Sequence, residues 1–272
     1  MLATHGCGTA MLPAMRGAVK SSEPRPVQLY LPEASGLIVF TREGVTLDAS
    51  NSARGYIMIK SEPKEMRLKL RISHEDMHYV YDLPSDDSYV SVPCQMGSGV
   101  YTVRVMEHVQ DNLYAQLFVQ EINVQIEVST DPFLYASQYV RFDGSSVVVV
   151  QSYLLAEGLS EDADIVQKLY QFVVKNTVYD HEKAATVQKG YLPDPDETLA
   201  SGKGICFDYA ALLASLLRAQ GIPTQLVIGI VMPEGITHAW NRTHIKGTWV
   251  WMDATLDSTG HKESDYFEER VY

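Results

Sequence analysis

The chain has 272 residues, 46% of them hydrophobic and 21% charged, with 34 acidic side chains against 22 basic ones and a formal charge of −12. That length suits one large or two ordinary domains, and the composition excludes a disordered, collagen-like or low-complexity chain. The acidic balance argues against nucleic acid or an anionic membrane surface as partner, because both require basic surface.

No apolar run reaches the ~18 residues that a membrane span needs. The first residues lack a basic stretch followed by an apolar one, so no secretion signal is read there. Residues 1–26 are expected to form a flexible tail. Cys7 within it resembles a lipoprotein's lipid-attachment cysteine but lacks the upstream apolar stretch, so it is read as a tail cysteine. With three cysteines in all, a disulfide framework is excluded and at least one thiol is unpaired.

From Val27 to Val128 the chain reads as short strands at Leu37–Phe40, Gly55–Lys60, Met66–Ser73, His78–Leu83, Tyr89–Pro93, Gly99–His108 and Asn112–Val128. Every second residue from Met66 to Ile72 is apolar, which is the period of a half-buried strand. Turn residues separate the runs, and the spacing predicts an all-β immunoglobulin-like sandwich over 27–130. Cys94, at a strand end, reads as a buried small hydrophobe. His74-Glu75-Asp76-Met77-His78 matches the H-E-x-x-H zinc pattern. That chemistry needs a helix to aim both imidazoles at one metal, and here the five residues join two strands, so a turn is expected.

The texture changes from about Asp143, and the domain boundary is placed near Ser129–Phe133, where Ser-Thr-Asp-Pro interrupts the strands, with a second domain over 131–272. Val147–Glu157 and Ala163–Asn176 read as helices, the second with Ser160 in its cap region. A loop is expected from Val178 to Ile205. So long a loop inside a compact domain is usually functional or disordered. Next comes Gly202-Lys-Gly-Ile-Cys206-Phe-Asp-Tyr-Ala, after which Leu212, Leu213, Leu216 and Leu217 recur at helical spacing, stopped by Gly221 and Pro223. Cys206 therefore sits in the first turn of a buried helix, where free N–H groups and the helix dipole favour negative charge on a thiol or a developing oxyanion.

Thr224–Met232 reads as a strand. A hairpin follows, turning on Lys246-Gly247, with Ile245 facing Thr248, Trp240 facing Asp253 and His238 facing Thr255. That register makes His238 and Asp253 diagonal neighbours on one face, and a three-residue loop would separate them. Cys206, His238 and Asp253 thus offer nucleophile, base and orienting carboxylate for acyl chemistry. Gln188 and Tyr191, just upstream of the cysteine, are candidate side-chain donors for an oxyanion hole. Trp240 and Trp251 are expected to pack the hairpin. Asn241-Arg-Thr fits the glycosylation pattern but falls within a strand and is read as silent.

These residues resemble the transglutaminase-like superfamily over about residues 160–258, through the Gly-Ile-Cys-Phe-Asp-Tyr-Ala segment, the helix ending Gln-Gly-Ile-Pro, the His-Ala-Trp strand and the Asp-Ala-Thr strand end. They are most similar to its bacterial transglutaminase-like cysteine peptidases. Ala254 departs from the more usual proline after the acid. The resemblance implies an α+β fold with a papain-like core, a helix-borne cysteine packed on an antiparallel sheet, and a Cys206–His238–Asp253 triad. It implies hydrolysis of peptide or protein substrates through a thioester. The alternatives are acyl transfer to an amine as a protein-glutamine transglutaminase, and a non-catalytic surface-binding or adhesion module. No cofactor and no metal is expected. The sandwich is expected to reach a cell-surface component or present substrate, with an extracytoplasmic or cell-surface destination.

Overall fold

The computed structural model describes residues 28–256 and 262–272, so the expected tail over residues 1–26 and Cys7 lie outside the described residues. Eight strands come first: β1 (Val39–Arg42), β2 (Val45–Asp48), β3 (Tyr56–Ser61), β4 (Leu68–His74), β5 (Met77–Leu83), β6 (Val90–Pro93), β7 (Gly99–Gln110) and β8 (Leu113–Val124). They form two antiparallel four-stranded sheets, ordered β1-β2-β3-β6 and β5-β4-β7-β8. Period-two burial is clearest in β4, where Leu68, Leu70 and Ile72 are buried while Lys69 and Arg71 are half-buried.

The expected strand at Leu37–Phe40 begins two residues late and is followed by β2, which the pattern did not reveal. Glu43 and Gly44 both take positive φ between β1 and β2 and close a tight hairpin. Leu37 is apolar but 83% exposed, so the run that suggested a strand there buries nothing. The last expected strand ends at Val124, short of Val128. His74 and Met77 pair across the β4–β5 hairpin, with Glu75 at positive φ in the turn. The H-E-x-x-H pattern is therefore a hairpin, as expected.

A single 3₁₀ turn over Asp131–Phe133 leads into the second half. It holds α1 (Val147–Ala156), α2 (Asp162–Asn176), β9 (Val178–Tyr179), α3 (His181–Thr186), α4 (Pro195–Ser201), β10 (Lys203–Gly204), α5 (Cys206–Ala219), β11 (Thr224–Val231), β12 (Ile236–Ile245), β13 (Thr248–Met252) and β14 (Tyr266–Val271). Helices α1 and α2 match the expected helices to within one residue at each end, although the cap of α2 is Glu161 rather than Ser160.

Where a loop is expected over Val178–Ile205, the chain instead folds into two short helices between two short strands. Asp180 caps α3 by accepting from the Lys183 amide, and Asp194 caps α4 by accepting from the amides of Asp196 and Glu197. Pro195 at the first helical position and the acidic first turn of α4 are helix-start chemistry. Both helices are too short to show an apolar period, which is why composition read them as loop.

A third four-stranded sheet runs β13-β12-β11-β14, all antiparallel. Helix α5 packs on it, and every residue from Asp208 to Ala219 is buried. Leu212, Leu213, Leu216 and Leu217 are each almost fully buried, and removing one such side chain to alanine costs about 2–5 kcal/mol. Arg218 is buried as well, with its guanidinium donating to the carbonyls of Thr224, Tyr135 and Tyr272. Burial pulls its pKa down to about 9. Buried apolar residues of the first sheets and of the helical half join in one continuous cluster.

Candidate active site

Cys206 is the first residue of α5, half-buried, with Ile205 as the cap. The start of this helix is held by an unanticipated cluster. Asp208, fully buried, accepts from the Ile205 amide through Oδ2 at 2.8 Å and from the Tyr191 hydroxyl through Oδ1 at 2.5 Å. Lys183 Nζ lies 2.8 Å from Asp208 Oδ2 and donates to the Tyr191 oxygen at 2.7 Å. Burial lowers the Lys183 pKa, but Asp208 and Tyr191 outweigh it and the net shift is upward. Gly204 is required beside this cluster, since a Cβ there would come within 2.6 Å of the Asp208 Cβ.

The hairpin register follows the expectation from Ile245↔Thr248 through Asn241↔Met252, on a two-residue turn in which Lys246 and Gly247 both take positive φ. One step further, His238 and Asp253 meet, with His238 Nε2 2.7 Å from Asp253 Oδ2 and both side chains buried. Asp253 also accepts from the Tyr266 hydroxyl at Oδ2, 2.7 Å, and from the amides of Thr255 and Leu256 at Oδ1. The Tyr170 hydroxyl donates to the Asp253 carbonyl. Burial pushes the Asp253 carboxyl up, and His238, Tyr266 and the Leu256 amide more than reverse this, so it lies below the usual range.

Burial opposes charge on His238 too. Hydrogen bonds and charge from Asp253 and then from Cys206 prevail, and raise the imidazole to about 9. Thiol, imidazole and carboxylate are thus brought together, although they come from a helix start, a strand and a strand end.

Tyr266 is the component that the spacing did not disclose. It opens β14, which pairs with β11 on the side away from the hairpin. Its ring sits edge-on to Trp240 and Trp251 at 5.0 and 4.9 Å, so both tryptophans pack the hairpin as expected. Gly229 is the local signal for this approach. The β11–β14 register shifts there, and any Cβ would strike the Phe267 carbonyl. Further along, Arg270 donates to the His78 carbonyl and the Val271 amide to the Tyr79 hydroxyl, tying β14 to β5 in the first half of the chain.

The two candidate oxyanion donors are both engaged within the chain. Gln188 is exposed and its amide donates to the Thr186 carbonyl, while Tyr191 gives its hydroxyl to Asp208. Asn241 is buried and donates to the carbonyls of Ala210 and Gln225, a structural role that fits its silent reading. Cys94 is buried, and burial pushes its thiol up to about 12. Among the described residues no group of three or more His, Cys, Asp or Glu side chains is placed to hold a metal ion, and no helix is long and apolar enough to cross a membrane.

Residues 153–254, which include Cys206, His238 and Asp253, match the family model of the transglutaminase-like superfamily. This segment is a transglutaminase-like domain. A UPF0252 protein of Archaeoglobus fulgidus is 31% identical over 108 residues, and the match spans 34% of this chain and 34% of that protein. A cysteine-protease candidate from Cytophaga hutchinsonii is similar in structure, with 16% identity, a TM-score of 0.46, and coverage of 80% of this chain and 76% of that one. A solved TGase is 26% identical, with a TM-score of 0.35 over 43% of this chain and 31% of its own.

Proposed function

We propose that the transglutaminase-like domain is a cysteine-nucleophile amide hydrolase acting on peptide or protein substrates, with Cys206, His238 and Asp253 as its triad. The observation that carries this reading is the buried 2.7 Å contact of His238 with Asp253 on an imidazole whose other neighbour is Cys206. In this scheme His238 takes the Cys206 thiol proton, the sulfur attacks the amide carbonyl carbon, and the carbonyl π pair moves onto oxygen. Collapse breaks the C–N bond, and the imidazolium protonates the departing amine, leaving a thioester. Water, deprotonated by His238, then attacks the thioester and expels the thiolate. Asp253 holds the imidazole in orientation and stabilises its cation.

The sheets of the first half are read as an immunoglobulin-like sandwich. The support is that β3 pairs β6 in one sheet while β4 pairs β7 in the other, so the chain crosses between sheets as a Greek key does. Its proposed role is to present substrate or meet a surface component outside the cytoplasm.

The test is labelling with a thiol-directed activity probe on wild type and Cys206→Ala over pH 6–8. Wild type should label and the variant should not. Equal labelling of both, or none of wild type, overturns the reading and leaves the non-catalytic binding module. A glutamine peptide supplied with a labelled amine separates release by water from incorporation by acyl transfer.

A further inference from the structure

Resting on that reading, the geometry points to Tyr179 as the side-chain donor of the oxyanion hole, its hydroxyl aimed at the oxygen of the tetrahedral intermediate formed on Cys206. Strand β9 is pinned to the residues that lead into the nucleophile. The Val178 amide donates to the Gly202 carbonyl and the Asp180 amide to the Gly204 carbonyl, which sets Tyr179 opposite Gly204, two residues before Cys206. Successive strand residues face opposite ways. Val178 is 65% exposed, so Tyr179 turns inward, half-buried and packed against the core. Its ring rests edge-on against His181 at 5.0 Å.

Among the described residues no hydrogen bond engages the Tyr179 hydroxyl, unlike that of Tyr191, which is bound to Asp208 and Lys183, or that of Tyr209, which donates to the Thr177 carbonyl. Burial, and then the charge of Cys206, raise the Tyr179 pKa, which places the hydroxyl within electrostatic range of the sulfur and keeps it protonated as a donor. The first-turn amides of α5 have no carbonyl four residues back to bond to, so a backbone N–H and the Tyr179 O–H converge on one oxygen. Tyr179 gives a hydrogen bond and keeps its proton. The proton that leaves with the amine comes from His238.

Tyr179→Phe is compared with wild type in three assays: turnover of a peptide amide, inhibition by a peptide aldehyde, and alkylation of Cys206 by iodoacetamide. Turnover and aldehyde addition both place negative charge on an oxygen, whereas alkylation does not. Loss of one oxyanion donor lowers kcat by about a hundredfold or more. The expected result is that fall in kcat with little change in KM, a matching rise in the aldehyde inhibition constant, and a much smaller change in alkylation rate. Tyr191→Phe, which loosens the start of α5, should instead lower turnover and alkylation together.

Unchanged kcat and aldehyde affinity in Tyr179→Phe would overturn the assignment. So would a fall in alkylation as large as the fall in kcat, because the hydroxyl would then act on the thiol. Thermal melts of both variants exclude a folding defect. If Tyr179→Phe does not fold, 3-fluorotyrosine at this position, a stronger donor of nearly the same shape, should tighten aldehyde binding, and no change would overturn the proposal. Wild type that neither alkylates at Cys206 nor binds the aldehyde refutes the nucleophile itself, an outcome distinct from failure of Tyr179 alone.

Discussion

The two sides of the site are built differently. The nucleophile side is anchored over a short stretch of chain: Lys183, Tyr191, Ile205 and Asp208 meet within about one helix length of Cys206 and share a buried ion pair. The acid–base side is assembled from afar, because Asp253 takes its donors from β12, from the turn after β13 and from β14. A local cluster fixes where the thiol sits. A long-range one fixes how strongly the imidazole holds its proton. Substitutions on the two sides should therefore fail in different ways, the first in stability and the second in pH dependence.

The largest effect is expected from Asp253→Asn. An amide keeps the shape but removes the charge that supports the imidazolium, and it presents the wrong partner to Nε2. Such a change in a catalytic triad lowers kcat by about 10⁴. With His238 at about 9 in wild type, activity that needs the imidazolium should fall through that pH, and in the variant this limb should move to lower pH. Stability carries the same signature. A raised histidine contributes fully below its ordinary 6.5 and is lost as pH rises through about 9, while a depressed Asp253 contributes above its ordinary 3.8 and is lost as pH falls through its lowered value. Wild-type melting should thus be highest between those ordinary values and decline towards pH 9, and Asp253→Asn should flatten that profile.

Next comes Asp208→Ala. It strands the Lys183 ammonium, the Tyr191 hydroxyl and the Ile205 amide around a buried site. Breaking a buried pair by deleting one partner costs about 3–5 kcal/mol. Chemical denaturation should show that loss, with the alkaline limb of activity still near its wild-type pH in whatever folded protein remains. A shifted limb would mean that the two sides of the site are not separable.

Much of the nucleophile and hairpin geometry was legible because it is written in short-range signals. The glycines before Cys206 and the Leu212–Leu217 period define a helix start, and Lys246-Gly247 sets the register that carries His238 to Asp253. What stayed hidden depends on contacts that local spacing does not encode. Tyr266 reaches Asp253 only because β14 pairs with β11, the strand that is not part of the hairpin. Tyr191 looked free to serve an oxyanion, yet its hydroxyl is taken by a buried aspartate that itself reads as an ordinary residue of a helix's first turn. Strand β9, two residues long, shows no period at all, although it sets Tyr179 beside the residues entering α5.

Tyr266→Phe is the subtlest change, and it distinguishes orientation from charge. The phenol shares Asp253 Oδ2 with His238, so its removal takes one stabilising donor from the carboxylate and leaves the ring packed between Trp240 and Trp251. The carboxylate loses part of what depresses its pKa, so the acid-side loss of stability should begin at a higher pH than in wild type. His238 keeps a charged partner that now bonds to fewer competitors, so the alkaline limb should hold its place or rise, opposite to the fall expected for Asp253→Asn. One lost hydrogen bond to a charged group is worth about 1.5–3 kcal/mol, and a fall in kcat of about tenfold is expected if roughly half of it is felt by the imidazole. A pH–rate profile together with acid denaturation measures both limbs. If the phenol only fills space, neither limb moves. If both limbs move down, its hydroxyl supports the imidazolium directly rather than through Asp253.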